Sequence, residues 1–177
     1  MPKNVTRTVR LDDDLDAALQ EKAKEANTSV NFLVNRLIRK YIDWDIPGEK
    51  FGLGPVSASL VNRLFEDKDD KAAFDLGRVA AHEFYEPFAK YLFGELTFET
   101  SILLFRRASD YGGRYTFDSN SDRKHQVLVL RHNGGLKISK FYSGIFQGVY
   151  GDILKMEVRV ESTEDYCVVQ LPAVALA

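Results

Sequence analysis

The sequence predicts an α+β fold in two parts: a short strand-helix-helix module, then a helix-rich α+β domain ending in a ββαββ antiparallel sheet. Three observations predict it. Val5-Thr6-Arg7-Thr8-Val9-Arg10-Leu11 alternates in the period of a strand. Two amphipathic helical patterns follow directly, joined by Asn27-Thr28-Ser29. After residue 114 the apolar period shortens from helical to strand-like in two pairs of runs that flank one helix.

The opening strand has one apolar and one polar face, and two helices cannot cover both of its backbone edges. Its N–H and C=O groups therefore call for a second copy of the chain. Parity sends Val5, Val9 and Leu11 inward and Thr6, Thr8 and Arg10 outward. Asp12 to Asp14 place an N-cap and negative charge at the positive end of the first helix, whose Leu15, Ala18, Leu19 and Lys22 recur at helical spacing and predict a face largely in the core. The second helix carries Phe32, Leu33, Val34, Leu37, Ile38, Tyr41 and Ile42, a band too broad for one neighbouring helix, which points to its own dimer mate.

Residues 4–44, with the basic strand ending Arg10-Leu11, the acidic helix start, the Ala26-Asn27-Thr28-Ser29 turn and Ser29-Val30-Asn31 opening the second helix, resemble the ribbon-helix-helix family of the Arc and methionine repressors. The resemblance implies an intertwined dimer whose antiparallel two-stranded ribbon enters the major groove of a double-stranded DNA operator. It puts Thr6, Thr8 and Arg10 on base edges and the backbone of Ser29, Val30 and Asn31 on a phosphate; by their charge, Lys3 and Arg7 are expected to make further phosphate contacts. The chemistry agrees, since a helix N-terminus attracts anions and arginine bonds guanine at two atoms. Arg7 departs from the pattern by its inward parity; its head reaches a phosphate, or its stem lies along the core edge with the head in water.

Composition limits the alternatives. With 177 residues, two domains are expected: 1–46 for DNA binding and dimerisation, and 56–177 for sensing or oligomerisation, joined by a linker at 47–55 rich in Gly and Pro. A net charge of -2 excludes a broadly nucleic-acid-coating surface but leaves a local stripe of Lys3, Arg7 and Arg10, supplemented by Arg36, Arg39 and Lys40. The single Cys167 rules out an internal disulfide framework and suits a reducing compartment. No apolar run approaches the length of a membrane span and no secretory leader opens the chain, so a cytoplasmic location without membrane contact is expected. Met1 to Asn4 are expected to be a flexible arm.

In the larger part the pattern predicts a short helix within Val56–Phe65 and a long one from Lys71 to Phe93, divided or kinked at Pro87. A third runs from Leu96 or Thr97 to about Ser109. Strands follow at Arg114–Asp118 and Lys124–Arg131, with Ser119 to Asp122 as their turn. Asn133-Gly134-Gly135 leads into a helix carrying Ile138 to Val149, and strands at Leu154–Glu161 and Tyr166–Leu171 close a sheet covered by helices on one face.

Sensing and catalytic chemistry find little purchase. Of the candidate metal ligands His82, His125, His132 and Cys167, the two histidines on one strand lie roughly 23 Å apart at about 3.3 Å per residue, and no metal-binding spacing occurs. Neither Cys167 nor any serine has a catalytic motif around it, so no enzyme and no cofactor are expected. The glycine pair before the helix reads as a turn rather than a phosphate cradle. The aromatics Phe84, Tyr85, Phe88, Tyr91, Phe93, Phe141, Tyr142, Phe146 and Tyr150 fit a filled core or an oligomer interface better than a small-molecule effector cavity. The sequence thus points to a repressor-like, sequence-specific transcriptional regulator, a homodimer that can pair into a tetramer on DNA. The competing reading is an antitoxin whose C-terminal part binds a partner protein.

Overall fold

A computed structural model describes residues 5–121 and 125–172 of the chain. Lys3, the arm at 1–4, and Asp122 and Lys124 of the expected hairpin lie outside the described residues. The chain divides into two compact units, Met1–Ile46 and Pro47–Ala177.

The first unit contains α1 (Asp13–Glu25) and α2 (Val30–Lys40). Helical structure does not stop at the expected break near residue 45. A π-type turn, Tyr41–Asp45, leads into α3 (Ile46–Lys50), which contains Pro47. Proline lacks an N–H and its ring crowds the carbonyl four residues back. A widened turn just before it moves that carbonyl aside, and the Ile46 N–H bonds the Tyr41 carbonyl five residues back. The chain solves the same problem at Pro87: α5 (Asp70–Ala80) passes through a π-type turn, Ala81–Tyr85, into α6 (Glu86–Phe93), with Glu86 N–H on the Ala81 carbonyl. The helix is therefore re-pitched at Pro87 instead of broken.

Helix starts in the second unit follow their caps. Ser57 accepts from Leu60 N–H to open α4 (Ala58–Glu66), and Asp69 accepts from Ala72 N–H at 2.7 Å to open α5. Thr97 and Thr100 form a reciprocal capping box before α7 (Phe98–Gly112). The strands are β1 (Thr116–Ser121), β2 (His125–Arg131), β3 (Arg159–Ser162) and β4 (Tyr166–Pro172), with α8 (Leu136–Phe146) between β2 and β3. They form one antiparallel sheet in the order β1-β2-β4-β3, so the apolar run at Val127 to Leu130 is central.

Two boundaries differ from the sequence reading. Ser119 to Ser121, expected to turn, continue β1 and pair with Gln126 to Leu128. The strand expected from Leu154 starts only at Arg159, because a π-type extension of α8, Gln147–Ile153, occupies the chain first. Lys155 then takes φ 57°, and Met156 N–H bonds the Tyr150 carbonyl at 2.8 Å, which ties this corner to the helix.

Helix α8 is the centre of the second unit, between the sheet on one side and α5 on the other. Phe117, Leu130 and Cys167 form one inward row of the sheet, and Leu128, Val169 and Val160 the next. Behind them the Phe105 ring lies tilted against Phe146, centroids 5.0 Å apart, and Tyr150, Phe88 and Ile145 are fully buried. Phe51, from the expected linker, has its ring 4.9 Å from Phe88 and is anchored in this unit. Most of the aromatic set is thus ring-on-ring core. The polar groups among it are matched: Tyr150 Oη accepts from Ser101 Oγ at 3.0 Å, and burial pushes the Tyr85 phenol up to about 12.

Contact between α5 and α8 depends on glycine. A Cβ on Gly144 would lie 2.0 Å from the Phe74 carbonyl oxygen, and one on Gly77 would lie 2.0 Å from that of Phe141. Alanine is favoured over glycine in a helix by about 1 kcal/mol, yet backbone here has no room to yield. Gly144→Ala is therefore expected to lower stability by about 1–3 kcal/mol or more in denaturant titrations. Gly54→Ala, with no atom within 4 Å of the added Cβ, should stay close to wild type.

His132 supplies a pH dependence. Its Nδ1 accepts from Gly134 N–H at 3.0 Å and its Nε2 faces Ser139 Oγ at 2.8 Å, an arrangement that suits the neutral ring. Burial lowers its pKa from the ordinary 6.5, with the Asp165 charge opposing in part. Below pH 6.5 the unfolded chain binds this proton more readily than the folded one, so the stability contributed by neutral His132 is present above that pH and is lost as pH falls. The thermal midpoint should drop on acidification below 6.5, and His132→Gln should flatten that part of the curve.

Candidate nucleic-acid interface

The first unit places its charged and polar groups through helix ends. Asp12 is the N-cap of α1 by position, but its carboxylate makes no cap hydrogen bond; Asp13, Asp14 and Asp16 set negative charge against the helix dipole instead. At the other end the turn closes on itself. Thr28 N–H bonds the Ala23 carbonyl at 2.9 Å and Asn27 N–H that of Lys24 at 3.1 Å, while Asn27 takes the left-handed φ of 49°. Asparagine tolerates that region better than most residues, which explains its place between the helices.

Ser29 then caps α2, its Oγ accepting from Phe32 N–H at 3.1 Å. Val30 and Asn31 are the first residues of α2, where backbone N–H groups precede the intrahelical ladder and point along the axis. The Asn31 side chain and carbonyl both accept from Asn35 Nδ2, at 3.1 and 2.8 Å, which steadies this first turn. Ser29, Val30 and Asn31 therefore come together at one helix start. Thr6, Arg7, Thr8 and Arg10 lie apart from it on the non-helical segment before Asp12, all exposed.

In the single chain that segment forms no ladder, and its apolar residues are uncovered. Val5 is 70 % and Val9 68 % exposed in the single chain; parity assigns both to a core shared with a second copy. The expected core face of α1 is also open: Leu15 and Ala18 are exposed and Leu19 half-buried. Phe32, Leu37, Ile38, Tyr41 and Ile42 extend the uncovered surface along the second helix, and Ala23 is the one buried apolar side chain among the described residues of this unit. In the single chain these groups stand as exposed apolar faces.

Residues 8–43 match the ribbon-helix-helix protein, copG family. The N-terminal module is of the ribbon-helix-helix type, a family generally made up of DNA-binding transcriptional regulators or antitoxins and typically dimeric. The match covers about a fifth of the chain, and the C-terminal unit matches no family. No curated protein matches the chain.

Elsewhere, three of the residues considered for metal or covalent chemistry, Cys167, His82 and His132, have structural partners. Cys167 Sγ donates to the Ser139 carbonyl at 3.0 Å, and burial raises its thiol pKa, which keeps it unreactive. His82 lies beside Asp152 and Glu86 at the helix surface, while His132 closes its own loop. Among the described residues no group of three or more His, Cys, Asp or Glu is placed to share an ion, and no helix is long and apolar enough to cross a membrane. Sequence reasoning missed the helical passage through Pro47; its signal is the same spacing that recurs before Pro87, a π-type turn ending two residues ahead of the proline.

Proposed function

We propose that the chain is a cytoplasmic transcriptional regulator that binds operator DNA as a homodimer, with residues 5–11 of two chains paired antiparallel in the major groove. The observation that carries this is the uncovered apolar surface of the ribbon-helix-helix module. Val5, Val9, Leu11, Phe32, Leu37, Ile38 and Ile42 are exposed together in a unit whose own core is one alanine. Each such side chain contributes about 1.5–3 kcal/mol when fully buried, so pairing two modules supplies the missing core. Ladder formation between the two segments also satisfies backbone groups that one chain leaves to water.

Pairing fixes what the outer face does. With Val5, Val9 and Leu11 turned inward, Thr6, Thr8 and Arg10 face bases, and the Ser29–Asn31 helix start meets a backbone phosphate on each side. Lys3 and Arg7 add charge near the same backbone, so binding uses few phosphate contacts and weakens moderately with salt. The C-terminal unit serves as an effector-binding or oligomerisation domain. An antitoxin whose tail orders only on a partner protein fits less well, because residues 47–172 carry their own packed core of Phe88, Phe105, Phe146 and Tyr150.

Selection of bound duplexes from a random pool tests this reading. Wild-type protein should enrich a motif with two related half-sites. Arg10→Ala should weaken binding to it by about 1–3 kcal/mol and relax the preference at the guanine it reads, whereas Asn31→Ala should weaken all duplexes alike. Arg10→Ala protein that keeps full affinity and selectivity would contradict the assignment.

A further inference from the structure

The C-terminal unit holds a cavity of about 140 Å³ where four separate stretches of chain meet: α4, the turn after α7, the loop after β2, and α8. Val61, Ile138 and Phe141 line it with apolar surface, while Arg114, Asn62 and Tyr142 line it with polar groups. His132 forms part of the wall, but both of its ring nitrogens are engaged, with Gly134 N–H and Ser139 Oγ.

Charge is distributed unevenly around this space. Arg114 is the one ionised side chain among its lining residues, and no carboxylate is among them. Its Nη2 donates to the Val56 carbonyl oxygen, which engages one of the five N–H donors of the guanidinium. It also lies near enough to the Tyr142 phenol to oppose the upward pKa shift that burial gives it. A guanidinium at the polar end of a half-apolar cavity, matched by a backbone carbonyl instead of an acid, retains donors in the planar array that suits a carboxylate.

Size narrows the occupant. At about 30 Å³ per water the space equals roughly four or five waters, enough for an anion of about five heavy atoms. We propose that this cavity binds a short-chain organic carboxylate, its head on Arg114 and its carbons against Val61, Ile138 and Phe141. The proposal rests on the effector-binding reading of the C-terminal unit and gives that effector a chemical class. The site also reaches the chain ahead of α4: a carboxylate engaging Arg114 competes with the Val56 carbonyl, one residue before the Ser57 cap.

Sodium propionate is the probe. Titrated into the full-length protein without DNA, at constant ionic strength set with sodium chloride, it should shift the backbone amide signals of Asn133 and Gly134 along a saturating curve. Propionamide, of the same shape but neutral, should not. Arg114→Gln should weaken the response at least tenfold. Val61→Phe, which keeps the guanidinium and fills the apolar end, should also abolish saturation. A linear drift matched by chloride, or saturation unchanged in both variants, would overturn the proposal. Because no DNA is present, either outcome is independent of whether the ribbon reads an operator.

Discussion

The physical constraint on the N-terminal module is a shortage of core. Forty-six residues form two helices and a basic segment, yet bury a single apolar side chain among those described, while aliphatic and aromatic groups along α1, α2 and the segment before them stand in water. A unit of this size buries too little surface to offset the entropy of ordering its chain. The proposed pairing with a second copy would remove the shortage and complete the backbone ladder in one step. In the proposed arrangement, DNA recognition is a consequence of that repair: once one face of the segment becomes core, the other presents Thr6, Thr8 and Arg10 as a set.

The C-terminal unit has the opposite character. Its core closes within one chain, around a helix that is buried on nearly every side. Glycines at 77 and 144 bring two helix backbones into contact, and the sheet's inward rows meet α8 opposite them. Polar groups inside are paired: Ser143 Oγ donates to the Ser139 carbonyl, and Cys167 to the same oxygen. A core closed within one chain suits the separate role proposed for this unit.

Legibility in the sequence followed the locality of the physics. Caps at Ser29, Ser57 and Asp69 and the turn at Asn27 are written in one or a few adjacent residues, and each stands where the sequence placed it or opens a helix the sequence anticipated. The continuous apolar run at Val127 to Leu130 and the strand pattern at Tyr166 to Leu171 located both central strands. The helix through Pro47 was not legible, because Pro47 followed by Gly48 signals a break unless a widened turn precedes them. The late start of β3 was hidden for a related reason: Met156, Val158 and Val160 alternate like a strand, but the extension of α8 and the bond from Met156 to Tyr150 decide where pairing begins. For the proposed interface, parity is the source of the assignment of faces. The cavity at Arg114 was not legible, since it joins residues as far apart in the chain as Ala58 and Tyr142.

Sedimentation equilibrium at micromolar concentration tests the paired module most directly, comparing wild type with Val9→Glu. Pairing predicts a wild-type mass of twice the 20.1 kDa chain, and a shift to the single-chain mass when a carboxylate is forced into the inward face of the ribbon. A wild-type protein that sediments as a single chain, or a dimer indifferent to Val9→Glu, would contradict it.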